Sequence, residues 1–329
     1  MALQYSNILV IQTAFIGDAI LASSLLEKLH QQMPSAQISL LVRKGNEAIY
    51  QHHPFLKELL VWNKKEQKLK NLFGLLRTIR ANKYDCVINC HRFASSGLLT
   101  GFSGARHTAG YKQNPFSFLF NTAVKHTIYE GKHEVDRYFE LVQDFVDGPA
   151  AEPKLYPSAN DLAEVENYKN STYICIAPAS VWFTKQWPKE KWIELCNALP
   201  PSYKIYLLGA PGDEALCNSI CEASTHPSIT NLAGKLSLLQ SAALIKDAKM
   251  NYVNDSAPLH LATCMQAPVT AIFCSTIPGF GFGPRGTNSK IAEASNLACR
   301  PCGLHGHKAC PQHHFNCALQ IEVSSITIS

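Results

Sequence analysis

The 329-residue chain has the length of two ordinary domains, and its 46% hydrophobic and 17% charged residues exclude a largely disordered protein. Its formal net charge of +5 suits phosphorylated or acidic partners but is too small to indicate nucleic-acid binding. No apolar run approaches the roughly 20 residues that span a bilayer, and the amino terminus lacks the regions of a signal peptide, which together predict a cytoplasmic protein.

The first half of the chain alternates short apolar runs with amphipathic stretches, a pattern typical of a parallel α/β sheet. Strands are predicted at 7–12, 37–42, 58–62 and 85–89, and helices at 18–32, 45–52 and 66–80. This alternation predicts a Rossmann-like domain over residues 1–150.

A proline-rich stretch then interrupts the alternation, with Pro149, Pro153 and Pro157 among polar residues. Because proline disfavours helices and sheet interiors, residues 151–171 are predicted to be an extended linker. A second series follows, with strands at 172–177, 204–208, 229–231, 251–253 and 268–273 and helices at 188–199, 212–223, 237–246 and 257–265. It predicts a second Rossmann-like domain over residues 172–329, with a cleft between the two sheets.

The first candidate site follows the opening strand, where Gly17 permits a sharp turn and Asp18 lies at the start of the next helix. Asp18 could be an N-cap carboxylate that the helix dipole favours. It could equally be a general base that takes a proton from an acceptor hydroxyl. No G-x-G-x-x-G fingerprint follows this strand, which disfavours a nicotinamide dehydrogenase.

The second candidate site is the loop after the first strand of the second domain. Ser180 and Thr184 offer hydroxyl groups there, and Lys185 offers a point charge suited to phosphate. A surface loop with two packed tryptophans is the simpler interpretation of the same residues.

The third candidate site also lies where a predicted strand ends and a helix begins. Asp255 or Ser256 could cap this helix while its free amides face a diphosphate, and His260 follows within the first turns. Open α/β sheets bind ligands at the carboxyl ends of their strands, so the three sites support one another.

Taken in order, these motifs resemble one known family. Pro-Ala-Ser at 178–180, Lys-Gln-Trp-Pro at 185–188, Asn-Leu-Ala-Gly-Lys-Leu-Ser at 231–237 and Asn-Asp-Ser at 254–256 are similar to those of the ADP-heptose:lipopolysaccharide heptosyltransferases of glycosyltransferase family 9. The similarity covers nearly the whole chain and leans toward the heptosyltransferase II type. It implies an inverting GT-B enzyme that needs no cofactor for catalysis and moves heptose from ADP-heptose to the lipopolysaccharide inner core, onto Kdo or a first heptose. Such an enzyme acts peripherally at the cytoplasmic membrane face.

The resemblance also implies residue roles. Asp18 would be the general base, Lys185 would neutralise the diphosphate, and Asp255 would hold the heptose hydroxyls. Either Asp213 or Glu214 would bind the ribose, with Glu214 favoured. The implied donor site comprises Gly17, Ser180, Thr184, Lys185, Glu214, Leu236, Asp255, Ser256, Ala257 and His260.

Two alternatives stay open. Ala257 stands where the family often has glycine, which leaves room for another nucleotide sugar on the same fold. The other alternative is a metal- or redox-sensing protein on a degenerate transferase fold. The intact Asp18, Lys185 and Asp255 argue against it.

The sequence defines the acceptor-binding residues of the first domain less clearly than the donor site. His91, Arg92, Arg106 and Arg137 are predicted to bind the anionic lipid A–core acceptor, although solvated surface charge would explain each of them. The phenylalanine-rich segment 111–120 is predicted to be either a flap that touches the membrane or a hairpin packed on its own domain.

Four of the twelve cysteines cluster near the carboxyl end with Cys-x2-Cys-x7-Cys-x6-Cys spacing. They are Cys299, Cys302, Cys310 and Cys317. In a reducing compartment this spacing suits a structural zinc ion or an iron–sulfur cluster, and reduced cysteines that pack the tail are the alternative.

Overall fold

Two parallel six-stranded sheets, one in each half of the chain, form the framework of the protein. The computed structural model describes residues 5–128 and 131–328 and divides into unit 1, Met1–Tyr156, and unit 2, Pro157–Ser329. Every strand pair is parallel, and helices connect the strands, so the predicted α/β class with two Rossmann-like units is confirmed. Within the described residues, no helix combines the length and the apolar content of a membrane span.

Unit 1 is built from six strands and five α-helices over its described residues. The strands are β1 (Asn7–Gln12), β2 (Gln37–Arg43), β3 (Leu56–Trp62), β4 (Cys86–Asn89), β5 (His107–Tyr111) and β6 (Thr122–Val124). The helices are α1 (Ile16–Leu21), α2 (Ser23–Gln32), α3 (Lys68–Ala81), α4 (Ala94–Gly101) and α5 (Glu134–Glu140). The strand order is β3-β2-β1-β4-β5-β6, and the central strands β1 and β4 are apolar and buried almost throughout because helices cover both faces of the sheet.

Unit 2 repeats this design. Its strands are β7 (Tyr173–Ala177), β8 (Lys204–Leu207), β9 (Ile229–Asn231), β10 (Met250–Asn254), β11 (Val269–Phe273) and β12 (Ser289–Glu293). Its helices are α6 (Ala159–Glu166), α7 (Lys189–Ala198), α8 (Glu214–Ala223), α9 (Leu238–Lys246), α10 (Ala257–Cys264) and α11 (Asn316–Leu319). The order β12-β11-β10-β7-β8-β9 is the order of unit 1 read from the other edge. Trp187, Trp192 and Leu195 fill its core together with Cys317 and Ile321 from the carboxyl-terminal segment.

Two predicted helices of unit 1 differ in the structure. The predicted helix at 18–32 is two helices, α1 and α2, because Ser23 and Ser24 turn their hydroxyls back onto the carbonyls of Ile20 and Leu21. Such back-bonding competes with regular helical hydrogen bonds. The predicted helix at 45–52 is only a 3₁₀ turn, Glu47–Tyr50.

The predicted extended linker, 151–171, contains a helix. Ser158 and Asp161 form a capping box that starts α6, and Val165 of this helix is fully buried. The prolines of the stretch precede the helix and do not interrupt it. Upstream of it, the Lys154 amide donates to Ser23 Oγ and the Tyr156 hydroxyl donates to Glu27, so the extended part lies against unit 1.

Candidate active site

Each sheet has one point at which the strand order reverses, between β1 and β4 in unit 1 and between β7 and β10 in unit 2. The chain leaves these neighbouring strands in opposite directions, and a crevice opens outside their carboxyl ends. Asp18 and His91 follow β1 and β4, whereas Lys185 and Asp255 follow β7 and β10. The fold thus places the predicted residues of each unit at its expected ligand position.

In unit 1, buried polar side chains join the loops that follow β1 and β4. Gln12 donates from Nε2 to the carbonyl oxygen of Cys90 at 3.3 Å and to the Tyr138 hydroxyl at 2.8 Å. Thr13 Oγ1 and His91 Nδ1 lie 3.1 Å apart. Burial, followed by the nearby Lys64 and Arg92 charges, lowers the pKa of His91 to about 3, so this imidazole is neutral near pH 7.

Asp18 is the third residue of α1, directly after Gly17, and the N-cap position of this helix belongs to Phe15. The N-cap interpretation is therefore wrong. Burial, and next the negative charge of Glu134, raises the pKa of Asp18 to about 7, against the opposing effects of Arg92 and nearby backbone amides. A carboxylate that titrates near neutrality is well matched to general-base chemistry.

Two cations beside the loop between β1 and α1 were not predicted as site residues. Lys64, after β3, donates to the carbonyl oxygen of Thr13 at 2.6 Å, and Arg43, at the end of β2, stacks 5.0 Å from the Phe15 ring centroid. Burial, together with the charge of Arg43 first and Lys68 second, lowers the pKa of Lys64 to about 8. Within residues 5–128 and 131–328, neither Arg43 nor Lys64 has an ion-paired carboxylate. Their positions at strand carboxyl ends are the signal that could have identified them.

Two of the predicted acceptor residues lie elsewhere. Arg106 precedes β5 and so lies at the amino ends of the strands, where its guanidinium is 5.5 Å from the Tyr5 ring centroid. Arg137 is fully buried, 2.6 Å from Glu134 Oε2, and donates to the carbonyl of Ile128. Assigning these two residues to acceptor binding was wrong, since one lies at the opposite sheet edge and the other has no access to a ligand.

The segment 111–120 folds onto unit 1. Gly101 and Gly110 lack side chains where Leu119 and Phe120 pack, and a Cβ at either glycine would approach these side chains within 3.0 Å. The alternative of a segment packed on its own domain is therefore the better description, although Phe118 is 78% exposed. The segment is not a hairpin, because β5 and β6 are parallel.

In unit 2, a buried ion pair occupies the point of strand reversal. Lys185 Nζ lies 2.6 Å from Asp255 Oδ2, and the Thr276 hydroxyl donates to the same oxygen at 2.6 Å. Asp255 is only 6% exposed. The carboxylate holds the ammonium in place at the strand ends, and Lys185 keeps further N–H donors for a ligand.

Asn254, a residue with no predicted role, fixes the loop that bears Lys185. It is fully buried, its Oδ1 accepts from the Trp187 amide at 3.0 Å, and its Nδ2 donates to the Pro178 carbonyl at 2.7 Å. One side chain at the end of β10 thus holds both ends of the loop that follows β7.

The carboxyl-terminal segment supports the same loop from another side. Thr184 is 1% exposed, and its hydroxyl accepts from the His307 amide at 2.8 Å and lies 3.0 Å from Ser275 Oγ. A Cβ at Gly306 would come within 3.0 Å of both Lys185 Cγ and Thr184 Oγ1. The prediction that the Thr184 hydroxyl binds the nucleotide-sugar donor was therefore wrong, because this hydroxyl faces the tail. Ser180, in contrast, is half-exposed.

The third predicted segment opens α10. Ser256 is its N-cap residue but makes no side-chain capping bond, and its hydroxyl donates to the Asn254 carbonyl at 3.3 Å. The predicted capping role was wrong, and the amide of Ala257 starts a helix without a side-chain cap. His260 is buried and packs edge-on against Phe282, so its prediction as a donor ligand was also wrong.

At the carboxyl end of β8, two carboxylates differ in availability. Asp213 Oδ2 accepts from the Ala210 amide at 2.8 Å, whereas Glu214 is exposed at the first residue of α8. Leu236 is half-buried in the loop between β9 and α9. Glu214 and Leu236 stay predictions as nucleoside contacts, with Glu214 the better placed of the two acids.

The four tail cysteines are all free thiols. Cys299 Sγ lies 3.9 Å from His314 Nε2, Cys302 Sγ points to the Cys299 carbonyl at 3.1 Å, and Cys317 is buried in the core of unit 2. Throughout 5–128 and 131–328, no three His, Cys, Asp or Glu side chains are arranged to hold a metal ion. These residues, as placed, do not form the predicted ligand set, and no chemical step is assigned to a metal.

Most of the chain matches a known protein family. A model of glycosyltransferase family 9 (heptosyltransferase) matches residues 72–312, well over half of the chain. Lipopolysaccharide heptosyltransferase 3 of Escherichia coli is 27% identical over 281 residues, covering 80% of this chain and 82% of that protein.

Two solved structures share the fold. A glycosyl transferase family 9 protein from Veillonella parvula superposes with a TM-score of 0.80 at 22% identity, covering 88% of this chain and 86% of that one. The ADP-heptose lps heptosyltransferase II of E. coli has a TM-score of 0.76 at 22% identity, covering 97% and 99%. At this identity they establish the fold, and the predicted GT-B type is confirmed.

Proposed function

The chain belongs to glycosyltransferase family 9, and from this premise we propose that it transfers a heptose from ADP-heptose to the inner core of lipopolysaccharide, with inversion at the anomeric carbon. The observation that carries the proposal is the Lys185–Asp255 ion pair beside the uncapped start of α10. A fixed cation next to free helix amides is suited to the diphosphate of a nucleotide sugar.

On the donor side, the leaving group is ADP, which gains negative charge as the bond to the anomeric carbon breaks. The Lys185 ammonium, already held by Asp255, donates its remaining N–H groups to the diphosphate oxygens without a costly rearrangement. The amides at the start of α10 add positive potential. Asp255 Oδ1 accepts from a heptose hydroxyl, and Glu214 from the ribose.

On the acceptor side, the attacking hydroxyl loses its proton to the Asp18 carboxylate. This transfer is favourable near neutral pH because the pKa of Asp18 is raised to about 7. The unpaired Arg43 and Lys64, with Arg92, bind phosphate or carboxylate groups of the core next to that hydroxyl. Whether the hydroxyl belongs to Kdo or to a first heptose is decided by acceptor assays.

The proposed acceptor is anchored in a bilayer, so the enzyme works as a peripheral protein at the cytoplasmic face of the inner membrane. The chain's net charge of +5 supports contact with an anionic lipid surface. The cysteine-rich tail acts in this proposal as a structural support for the loop at 178–187 that bears Lys185, which we call the donor loop.

The donor assignment is tested by isothermal titration of the purified protein with ADP-heptose, ADP and UDP. Wild type should prefer the adenine nucleotides, and Lys185→Ala should weaken ADP-heptose binding by roughly tenfold or more because a charge-assisted contact is lost. Lys189→Ala, which removes an exposed lysine of α7, is the matched control and should bind as wild type does.

Thermal denaturation of both variants shows whether the unpaired Asp255 lowers stability rather than affinity alone. Preference for UDP would replace the donor by another nucleotide sugar, as Ala257 allows. Absence of nucleotide binding by a folded wild-type protein would overturn the proposal.

A further inference from the structure

Positive charge is concentrated in one short stretch around α3. Residues 64–83 contain seven lysines and arginines and one glutamate, a net charge of +6, while the whole chain has +5. The other 309 residues together therefore carry −1. The net positive charge of the chain is therefore that of this helix and its two ends, because the basic and acidic residues elsewhere nearly cancel.

Helix α3 has two different apolar faces. One packs onto the sheet and consists of Leu72, Leu75, Leu76 and Ile79. The other is exposed, since Leu69 and Phe73, one turn apart, are 67% and 58% accessible to solvent. Helix surfaces that face water alone normally have polar residues at such positions.

Cations border these two exposed side chains. Arg77 and Arg80 follow Phe73 at the i+4 and i+7 positions, and Lys70 lies beside them, seven residues before Arg77. We call Leu69, Lys70, Phe73, Arg77 and Arg80 the α3 outer face. In the part of the chain that the structure describes, none of its three cations has a carboxylate partner.

We propose that the α3 outer face is a docking surface for an anionic lipid bilayer. Leu69 and Phe73 enter the boundary between headgroups and acyl chains, while the flanking cations contact lipid phosphates. Exposed apolar residues within a purely cationic rim match the chemistry of such a surface, and an ion-paired rim would not. An acidic protein is the competing partner, and it is an outcome of the test below.

The position of α3 relates this surface to the acceptor residues of unit 1. The helix starts four residues after Lys64, which hydrogen-bonds the loop that leads to Asp18. Lys64 and Lys68 are close enough for the charge of one to affect the pKa of the other. A bilayer at the α3 outer face would therefore present its headgroups beside the acceptor cations. This placement rests on the proposed function; the docking surface itself requires only the exposed helix face.

Vesicle co-sedimentation of the full chain tests the inference. Vesicles of phosphatidylcholine alone are compared with vesicles containing phosphatidylcholine and phosphatidylglycerol in about a three-to-one ratio, at low and high salt. Wild type should bind the anionic vesicles and be released by salt. Lys70→Gln/Arg77→Gln should weaken binding by roughly tenfold or more, since each cation near an anionic surface contributes to the attraction.

Two further variants separate charge, apolar contact and folding. Leu69→Ser/Phe73→Ser keeps every charge and should also weaken binding to anionic vesicles, which a purely electrostatic surface would not show. Lys189→Gln/Lys290→Gln removes the same charge from exposed positions of unit 2 and should bind as wild type does. Thermal denaturation confirms that each variant is folded.

Equal vesicle binding by all variants, or no binding by wild type, would overturn the docking surface and leave a protein partner as the alternative. ADP-heptose titration of the same variants without vesicles should equal that of wild type. A failed vesicle experiment with normal donor binding therefore contradicts only this inference, and a failed titration contradicts only the proposed function.

Discussion

Unit 1 and unit 2 repeat one sheet topology, yet the carboxylates at their points of strand reversal have opposite surroundings. In unit 1, Asp18 has no ion-pair partner among the described residues, and burial with the neighbouring Glu134 raises its pKa to about 7. In unit 2, Asp255 accepts from Thr276 and is paired with Lys185 at 2.6 Å. The same position in one fold can thus provide a proton acceptor or an anchor for a cation, depending on whether a lysine reaches it.

In the proposed reaction, unit 1 takes the proton of the acceptor hydroxyl and unit 2 neutralises the leaving group. Substitutions in one unit should change the step assigned to that unit and leave the step assigned to the other unit unchanged.

Asp18→Asn should reduce turnover by roughly a hundredfold to ten-thousandfold, because an amide cannot accept the proton of the acceptor hydroxyl. ADP-heptose affinity should stay unchanged, since the donor contacts lie in unit 2. Steady-state kinetics with a core acceptor and titration of the donor measure the two quantities. A variant that keeps wild-type turnover would exclude Asp18 as the base.

Lys64→Gln should raise KM for the acceptor by about tenfold, since a charge-assisted contact to an anionic group is lost. Arg106→Gln is the matched control, because Arg106 lies at the amino ends of the strands. Acceptor saturation curves for the two variants provide the comparison. Equal effects of both substitutions would contradict the assignment of the anion site to the carboxyl ends.

Gly306→Ala should raise KM for the donor by about fivefold, because the new methyl group displaces Lys185 and Thr184 from their present positions. Gly303→Ala shares the strain of a positive φ, which is 74° against 78° at Gly306, but its nearest neighbour is 3.8 Å away. The measurement is KM and kcat for each variant. If Gly303→Ala raises KM equally, backbone strain rather than contact with Lys185 is responsible.

Glu134→Gln should move the acidic limb of the kcat/KM profile to lower pH by about one unit. Removing this negative charge stabilises ionised Asp18, and the positive charge left on Arg137 acts in the same direction. Glu140→Gln on the same helix is the control and should leave the profile near that of wild type. A Glu134→Gln profile that shifts to higher pH would contradict the assigned cause.

Sequence reasoning located the strand ends well because β1, β7 and β10 are mostly apolar and almost fully buried, and polar loops follow them. It therefore identified Asp18, Lys185 and Asp255 as neighbours of these ends. It did not identify Arg43 and Lys64, although both lie at the ends of predicted strands, because neither belongs to the motifs that carry the family resemblance.

Burial and tertiary contacts account for the errors at single residues. Arg137 was taken for an accessible cation, but the fold buries it against Glu134. Thr184 was taken for a phosphate ligand, yet His307 occupies its hydroxyl from 123 residues away. The helix α6 was not predicted, because the prolines before it indicated an extended linker. The capping box that Ser158 and Asp161 form is the local signal for this helix.

The support of the Lys185 loop by the tail has a consequence for biosynthesis. The Trp187 indole donates to the carbonyl of Ala318, 131 residues later, and Thr184 binds His307. During translation, all strands of both sheets leave the ribosome before the donor loop can receive these two bonds. A nascent chain can thus complete unit 1 long before it is able to hold a nucleotide sugar firmly, which delays competence for transfer until the tail has emerged.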